Sequence, residues 1–262
     1  MKRIITTSIL TVLVSLGLQA QSTVLFVLSA SDTILLNEGS KARQTGVFLN
    51  EFYLAYSALR EAGYMIQFST PNGVKPPIDQ ESFQDQYWKD QLEKKVEAEQ
   101  FIANNQGFIH PIPLEEAWAT RAQYVGLVIP GGQGLMVDLM YDSLVPQLLI
   151  YFAETQKPTG LICHAPSLLL ALPQDKNPYV GFQVNSVSPL EEFVIESFIM
   201  KGKPQNRKIA KQLKNSGFHY VRKLPKSNFA VKDRNLVTSQ NPFSSTAFNG
   251  LFLQALNDYK TK

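Results

Sequence analysis

The chain contains a single cysteine, Cys163, and the residues around it are those that could turn a thiol into a nucleophile. The thiolate is the reactive form, and the unpaired N–H groups at the start of a helix favour its negative charge. Cys163 stands at a sharp strand-to-helix turn, between Gly160-Leu161-Ile162 and His164-Ala165-Pro166. His164 could shuttle protons. The same apolar setting also suits a small, inert, buried thiol, so the wider context has to decide.

A carboxyl partner is available in Glu51, three residues after Phe48 and four before Ala55. That spacing puts it on or beside the buried face of a helix. Burial raises a carboxyl pKa, so a protonated Glu51 could donate a hydrogen bond to a Cys163 thiolate and act as general acid or base. The competing expectation is a flanking residue whose head reaches water. Gly131-Gly132 offers backbone N–H groups free of side-chain obstruction, suited to an oxyanion. No Gly-Lys-Ser/Thr follows, so this is not a phosphate-binding loop. The pair Glu191-Glu192 could orient His164 or form a solvated acidic surface. His110 and His219 have no metal-ligand spacing to each other or to a carboxylate, which argues against a metal site.

The elements that must hold these groups follow from the pattern. Residues 23–28 form a continuous apolar run, the mark of a strand buried on both faces. Apolar spacings of three and four predict a helix over 46–62, stopped by Gly63. Strands are predicted at 64–69, 124–129 and 160–162, with a helix between the last two reaching residue 152. Further short strands are predicted at 182–188, 229–231 and 236–239, and helices at 209–215 and 246–257. The proline- and charge-rich stretch at about 71–122 reads as an inserted helical cap with loops, not a sheet unit. Strand–helix alternation with glycine-rich exits predicts an α/β fold in which an open parallel sheet is sandwiched by helices. Ligands bind such sheets at the carboxyl ends of the strands, where Cys163 falls.

Composition excludes several classes. At 262 residues and 44% hydrophobic content the chain can build a substantial core. Its net charge of +3 drops to +1 without Lys2 and Arg3, which does not suit a nucleic-acid binder. Residues 1–20 have a basic start, a short apolar run and a small residue at Ala20, as in a secretory signal. This predicts an exported mature chain of 21–262, periplasmic or secreted, a single domain without stable membrane association. With one cysteine, that chain has no internal disulfide.

Five stretches together resemble the DJ-one/PfpI superfamily, the class I glutamine amidotransferase-like fold. They are similar to its branch of glyoxalase III and Hsp-type chaperones. The stretches run over 45–52, 130–139, 160–166, 184–192 and 236–245, and include Pro130-Gly131-Gly132-Gln133-Gly134 and Ile162-Cys163-His164-Ala165-Pro166. The resemblance implies a flavodoxin-like domain with a small cap, usually a homodimer, in which Cys163 is the nucleophile and Glu51 its partner. It also implies a triad-like arrangement of Cys163, His164 and an acid best matched by Glu192, with the N–H groups of Gly132 and His164 as oxyanion hole. The substrate pocket would include Gly131, Gln133, Ala165 and Asn241. Gln133 and Ala165 depart from the branch, which commonly has His and Gly there.

The function so implied is a lyase needing no cofactor or metal. The Cys163 thiolate adds to methylglyoxal, a small dicarbonyl, and lactate is released; a protein deglycase would use the same thiol. The alternatives are a cysteine peptidase or amidase, a non-enzymatic chaperone or redox sensor, and an inactive member of the family.

Overall fold

The computed structural model of the protein describes residues 22–261, so the predicted signal segment lies outside the described residues. Seven strands form the central sheet. In chain order they are β1 (Thr23–Val27), β2 (Met65–Thr70), β3 (Ile112–Pro113), β4 (Tyr124–Ile129), β5 (Thr159–Ile162), β6 (Ala230–Asp233) and β7 (Leu236–Ser239). Their order across the sheet is β6-β7-β5-β4-β1-β2-β3, and all pairs are parallel except β6–β7.

The longer helices are α1 (Leu49–Glu61), α2 (Leu92–Asn104), α3 (Leu144–Glu154) and α4 (Ser245–Lys260). α1, α3 and α4 flank the sheet, with α2 packed outside on α1, which accounts for the unbroken apolar runs in β1, β4 and β5: neither face of those strands meets water. α4 comes closest. A β-carbon at Gly160 would lie 2.6 Å from the Phe248 ring, and one at Gly126 would lie 2.9 Å from Leu256. Glycine at those two positions lets the helix sit down on the sheet. Gly63, with φ +87°, ends α1 as predicted, its neighbour Tyr64 donating back to the Leu59 carbonyl.

The inserted stretch differs from expectation in one respect. Most of it is helical turns and α2, but Ile112–Pro113 pairs with Ser69 and Thr70 and so adds a strand to the sheet. Two residues are too few to show a period, and a proline is tolerated because the strand lies at the edge. A second unpredicted element is the hairpin of Thr33–Leu36 with Lys41–Gln44, whose Ile34 and Leu36 pack on Met200. Of the strand predicted at 182–188, only Gln183–Val184 is strand.

Going out from β1, the chain fills one side with β2 and β3 and then crosses to β4 and β5. The crevice at that reversal, beyond the carboxyl ends of β1, β4 and β5, is where an open sheet of this kind can hold a ligand.

Candidate active site

β5 delivers the chain to Cys163, whose φ of +58° lies in the left-handed region. For a residue with a side chain that conformation costs about 1–3 kcal/mol and persists only where its surroundings enforce it. Two hydrogen bonds do so: Cys163 N–H donates to the Ser239 carbonyl and Val187 N–H to the Cys163 carbonyl, both at 2.9 Å. The turn is thus clamped between β7 and the 187 loop.

The sulfur is only slightly exposed, at 4% for the whole residue, yet Cys163 forms part of a cavity wall. Here the structure corrects one expectation. The element after the turn is a six-residue 3₁₀ helix, Ala165–Leu170, too short to supply much dipole. Burial, followed by the charge of Glu51, pushes the thiol well above its ordinary pKa, and the His164 backbone N–H opposes this only partly.

Glu51 occupies the first turn of α1 and is buried. Its Oε2 accepts the Gly131 N–H at 3.0 Å, and its carboxyl stands beside Cys163 at the Gly131 α-carbon, close enough for the two groups to perturb each other's titration. Burial raises its pKa to about 8, against the lowering effect of the contacts with Cys163 and Gly131. Oε1 makes no fully formed hydrogen bond, which leaves that oxygen available for proton exchange.

The His164 ring lies between two neighbours. Nδ1 is 3.3 Å from the Cys163 sulfur, and Nε2 is 3.3 Å from Nε2 of Gln133. Burial drives its pKa down to about 4, so the ring is neutral at pH 7.

Glu192 is not the acid that orients this ring. Its carboxylate accepts the backbone N–H groups of Lys208 and Ile209 at the start of the helix Ile209–Asn215. Glu191 is the member of the pair that faces the cavity, but it too leaves His164 alone. It accepts from Ser188 N–H, Lys226 N–H, Gln240 Nε2 and Asn241 Nδ2. The local sequence explains the division. Ser188 and Glu191 form a capping box on Pro189–Val194, which turns Glu191 back towards the cavity and leaves Glu192 on another side of the helix. Among the described residues, no carboxylate contacts the His164 ring.

Gly132 has φ +101°, and a β-carbon there would lie 2.1 Å from the Gly46 carbonyl oxygen. Its N–H has no acceptor among the described residues, while the His164 N–H is directed at the sulfur. Gln133 and Asn241 line the cavity. Gly131 and Ala165 do not: Gly131 backs Glu51, and Ala165 is fully buried beneath the turn.

The cavity measures about 170 Å³. Phe48, Tyr87 and Phe243 give it an aromatic side, with the Phe48 and Tyr87 rings edge-to-face at 5.0 Å. Val194 and Ile195, from the helix after Ser188, close another side, and Arg43 reaches it from the hairpin. No motif or spacing points to a cavity role for these residues, which come from segments far apart in the chain. Among the described residues, no cluster of three or more His, Cys, Asp or Glu side chains could hold a metal ion.

A thiol on a strained turn, a carboxyl whose pKa of about 8 lets it both take and give a proton near neutrality, a neutral imidazole and a free backbone N–H can together carry out addition to a carbonyl followed by proton transfer. Several proteins of known description are similar to this chain. The deglycase HchA of Escherichia coli is 22% identical over 236 residues, covering 88% of this chain and 80% of its own. The glutathione-independent glyoxalase hsp3101 of Schizosaccharomyces pombe is 23% identical over 211 residues, covering 77% and 83%. The crystal structure of glyoxalase III from Candida albicans superposes with a TM-score of 0.74 at 20% identity, covering 89% of this chain and 97% of that one. The model of the family described as ThiJ/PfpI family-like matches residues 43–178, from the hairpin through the Cys163 turn, and the chain belongs to that family.

Proposed function

We propose that the protein is a glutathione-independent glyoxalase that converts methylglyoxal to lactate through Cys163. The observation that carries this proposal is the meeting of the Cys163 thiol, the Glu51 carboxyl and the His164 ring beside one small cavity. The names of the two curated relatives, a deglycase and a glyoxalase, support it.

In the first step ionised Glu51 takes the thiol proton and the sulfur adds to the aldehyde carbon. A C–S bond forms, the carbonyl electron pair moves onto oxygen, and the Gly132 N–H faces the resulting charge. Glu51 returns that proton to the oxygen, which gives a hemithioacetal and leaves its own carboxyl ionised. Glu51 then removes the hydrogen of the former aldehyde carbon, and an enediol forms. Protonation at the neighbouring carbon yields a thioester, so one carbon is oxidised as the other is reduced and no outside oxidant is needed. Water attacks the thioester, the C–S bond breaks, and lactate leaves as the thiol regains its proton.

Purified protein mixed with methylglyoxal in the absence of glutathione should form lactate, while Cys163→Ser should not. Equal lactate from the two proteins would overturn the proposal.

A second reading, binding of unfolded chains, is favoured by one observation. Leu190, Phe193, Val194 and Phe198 are exposed on one helical segment, with Phe198 at 67%. Suppression of aggregation of a heat-denatured protein, retained in Cys163→Ser and lost in a Phe193→Ser/Phe198→Ser double variant, would support it. Export directed by residues 1–20 and a homodimeric mature chain complete the proposal; cell fractionation and sedimentation test them.

A further inference from the structure

Gln133 is nine-tenths buried at the cavity wall, and its amide nitrogen faces Nε2 of His164 at 3.3 Å. An amide nitrogen always carries hydrogens and cannot accept. With the amide nitrogen turned to the ring and Gln133 Oε1 left without a partner, two N–H groups would face each other across that gap unless His164 Nε2 is the bare ring nitrogen. In a neutral imidazole the proton then sits on Nδ1, 3.3 Å from the Cys163 sulfur.

The sulfur is therefore approached by two donors, the His164 ring Nδ1–H and the His164 backbone N–H. Among the described residues, only the Glu51 carboxyl remains beside it as an acceptor. Neither Glu191 nor Glu192 reaches the ring to impose the opposite tautomer.

We propose that Gln133 is a positioning residue that locks His164 as the Nδ1–H tautomer, making His164 a hydrogen-bond donor to the sulfur and Glu51 the base for the Cys163 thiol. Cys, His and acid do not form a linear relay here. Among the described residues no hydrogen bond links the Glu51 carboxyl to the His164 ring, and an amide takes the place a carboxylate holds in a Ser-His-Asp arrangement. The role given to the thiolate rests on the glyoxalase reading; the tautomer does not.

Nitrogen-15 NMR of the histidine-labelled protein at pH 7 tests this without substrate. The chain has three histidines, and the His164 signals are those lost in His164→Asn. The expected spectrum shows a protonated Nδ1 and a bare Nε2. Gln133→Glu, which presents an acceptor to Nε2, should reverse the pattern, and Gln133→Met should give a mixture. A protonated Nε2 in the unaltered protein would overturn the proposal, as would one tautomer common to all three proteins. Where a variant fails to fold, the spectrum of the unaltered protein decides alone.

The functional readout is alkylation of Cys163 by iodoacetamide at pH 7. Gln133→Glu should slow it by about 10- to 100-fold, the effect of losing one hydrogen bond to a charged sulfur. An unchanged rate in a variant whose tautomer has switched would remove the sulfur-directed role. Lactate formation is measured separately, so failure of the glyoxalase reading leaves the tautomer result standing.

Discussion

Glu51 and Cys163 meet across the α-carbon of Gly131. A β-carbon at that residue would come within 2.4 Å of Glu51 Oε2 and 2.9 Å of the Cys163 β-carbon. The β4 exit must therefore be glycine for steric reasons alone, since Gly131 has no left-handed φ. A methyl group inserted there has no room, and overpacking of this kind costs about 1–3 kcal/mol. Gly131→Ala should lower the urea midpoint accordingly and displace the Glu51 carboxyl from the thiol, with lactate formation falling by at least about tenfold. A stable, fully active Gly131→Ala protein would contradict the contact.

Glu51 also makes a pH prediction. Its pKa rises from an ordinary 4.5 to about 8 on folding, so between these values the folded state holds a proton that the unfolded chain has lost. Stability from this group is fully present below pH 4.5 and is lost as pH rises through 8, by an amount on the order of 5 kcal/mol. His164 acts in the opposite direction at lower pH. Its pKa falls from 6.5 to about 4, so stability rises with pH across that interval. The two slopes oppose each other up to about pH 6.5, and Glu51 dominates above it. Urea midpoints of the unaltered protein should therefore decline from pH 6.5 to 9 more steeply than those of Glu51→Gln. Parallel curves would show that this carboxyl is ionised in the folded state at neutral pH. Because the base must be ionised, lactate formation should rise with pH towards about 8.

Much of this arrangement was legible because it depends on long periodic segments. β4 has the boundaries its apolar run predicts, and α1 ends where Gly63 stops it. The helical spacing of Glu51 from Phe48 and Ala55 puts it on or beside the buried face, and the burial of its side chain decides for the inside. What escaped has no period to detect. The hairpin at 33–44 and the two residues of β3 are too short, and the cavity-lining Arg43, Tyr87 and Phe243 converge only through the tertiary fold. The thiol pKa could not be judged either, because the dipole argument assumed a full helix where the chain forms one 3₁₀ segment. The division of labour between Glu191 and Glu192 was readable in principle. Ser188-Pro189-Leu190-Glu191 is a capping-box sequence that fixes which acid turns back.

Gly132 is held more tightly than Gly131. Its φ of +101° and the 2.1 Å approach of the Gly46 carbonyl exclude any side chain, and the neighbour is backbone that cannot swing aside. Gly132→Ala should cost more than Gly131→Ala, at roughly 3 kcal/mol or above, because left-handed strain adds to the clash. Thermal unfolding of both variants measures the difference. The reverse ranking would show that the 131 position is the tighter of the two.

The two adjacent glutamates should respond differently to the same change. Glu192 accepts backbone N–H groups at the start of the helix Ile209–Asn215, and a glutamine there keeps one acceptor oxygen for Lys208. Glu192→Gln should cost about 1 kcal/mol and leave kcat/KM for methylglyoxal within about twofold. Glu191 receives two donors on each oxygen, so an amide in its place turns a donor towards two donors. Burying that mismatch costs about 1–3 kcal/mol and releases Asn241 and the Lys226 backbone, both at the cavity wall. Glu191→Gln should therefore lose both stability and activity. A Glu192→Gln protein that folds normally but loses turnover would instead return Glu192 to the catalytic group and require it to approach His164 when substrate binds.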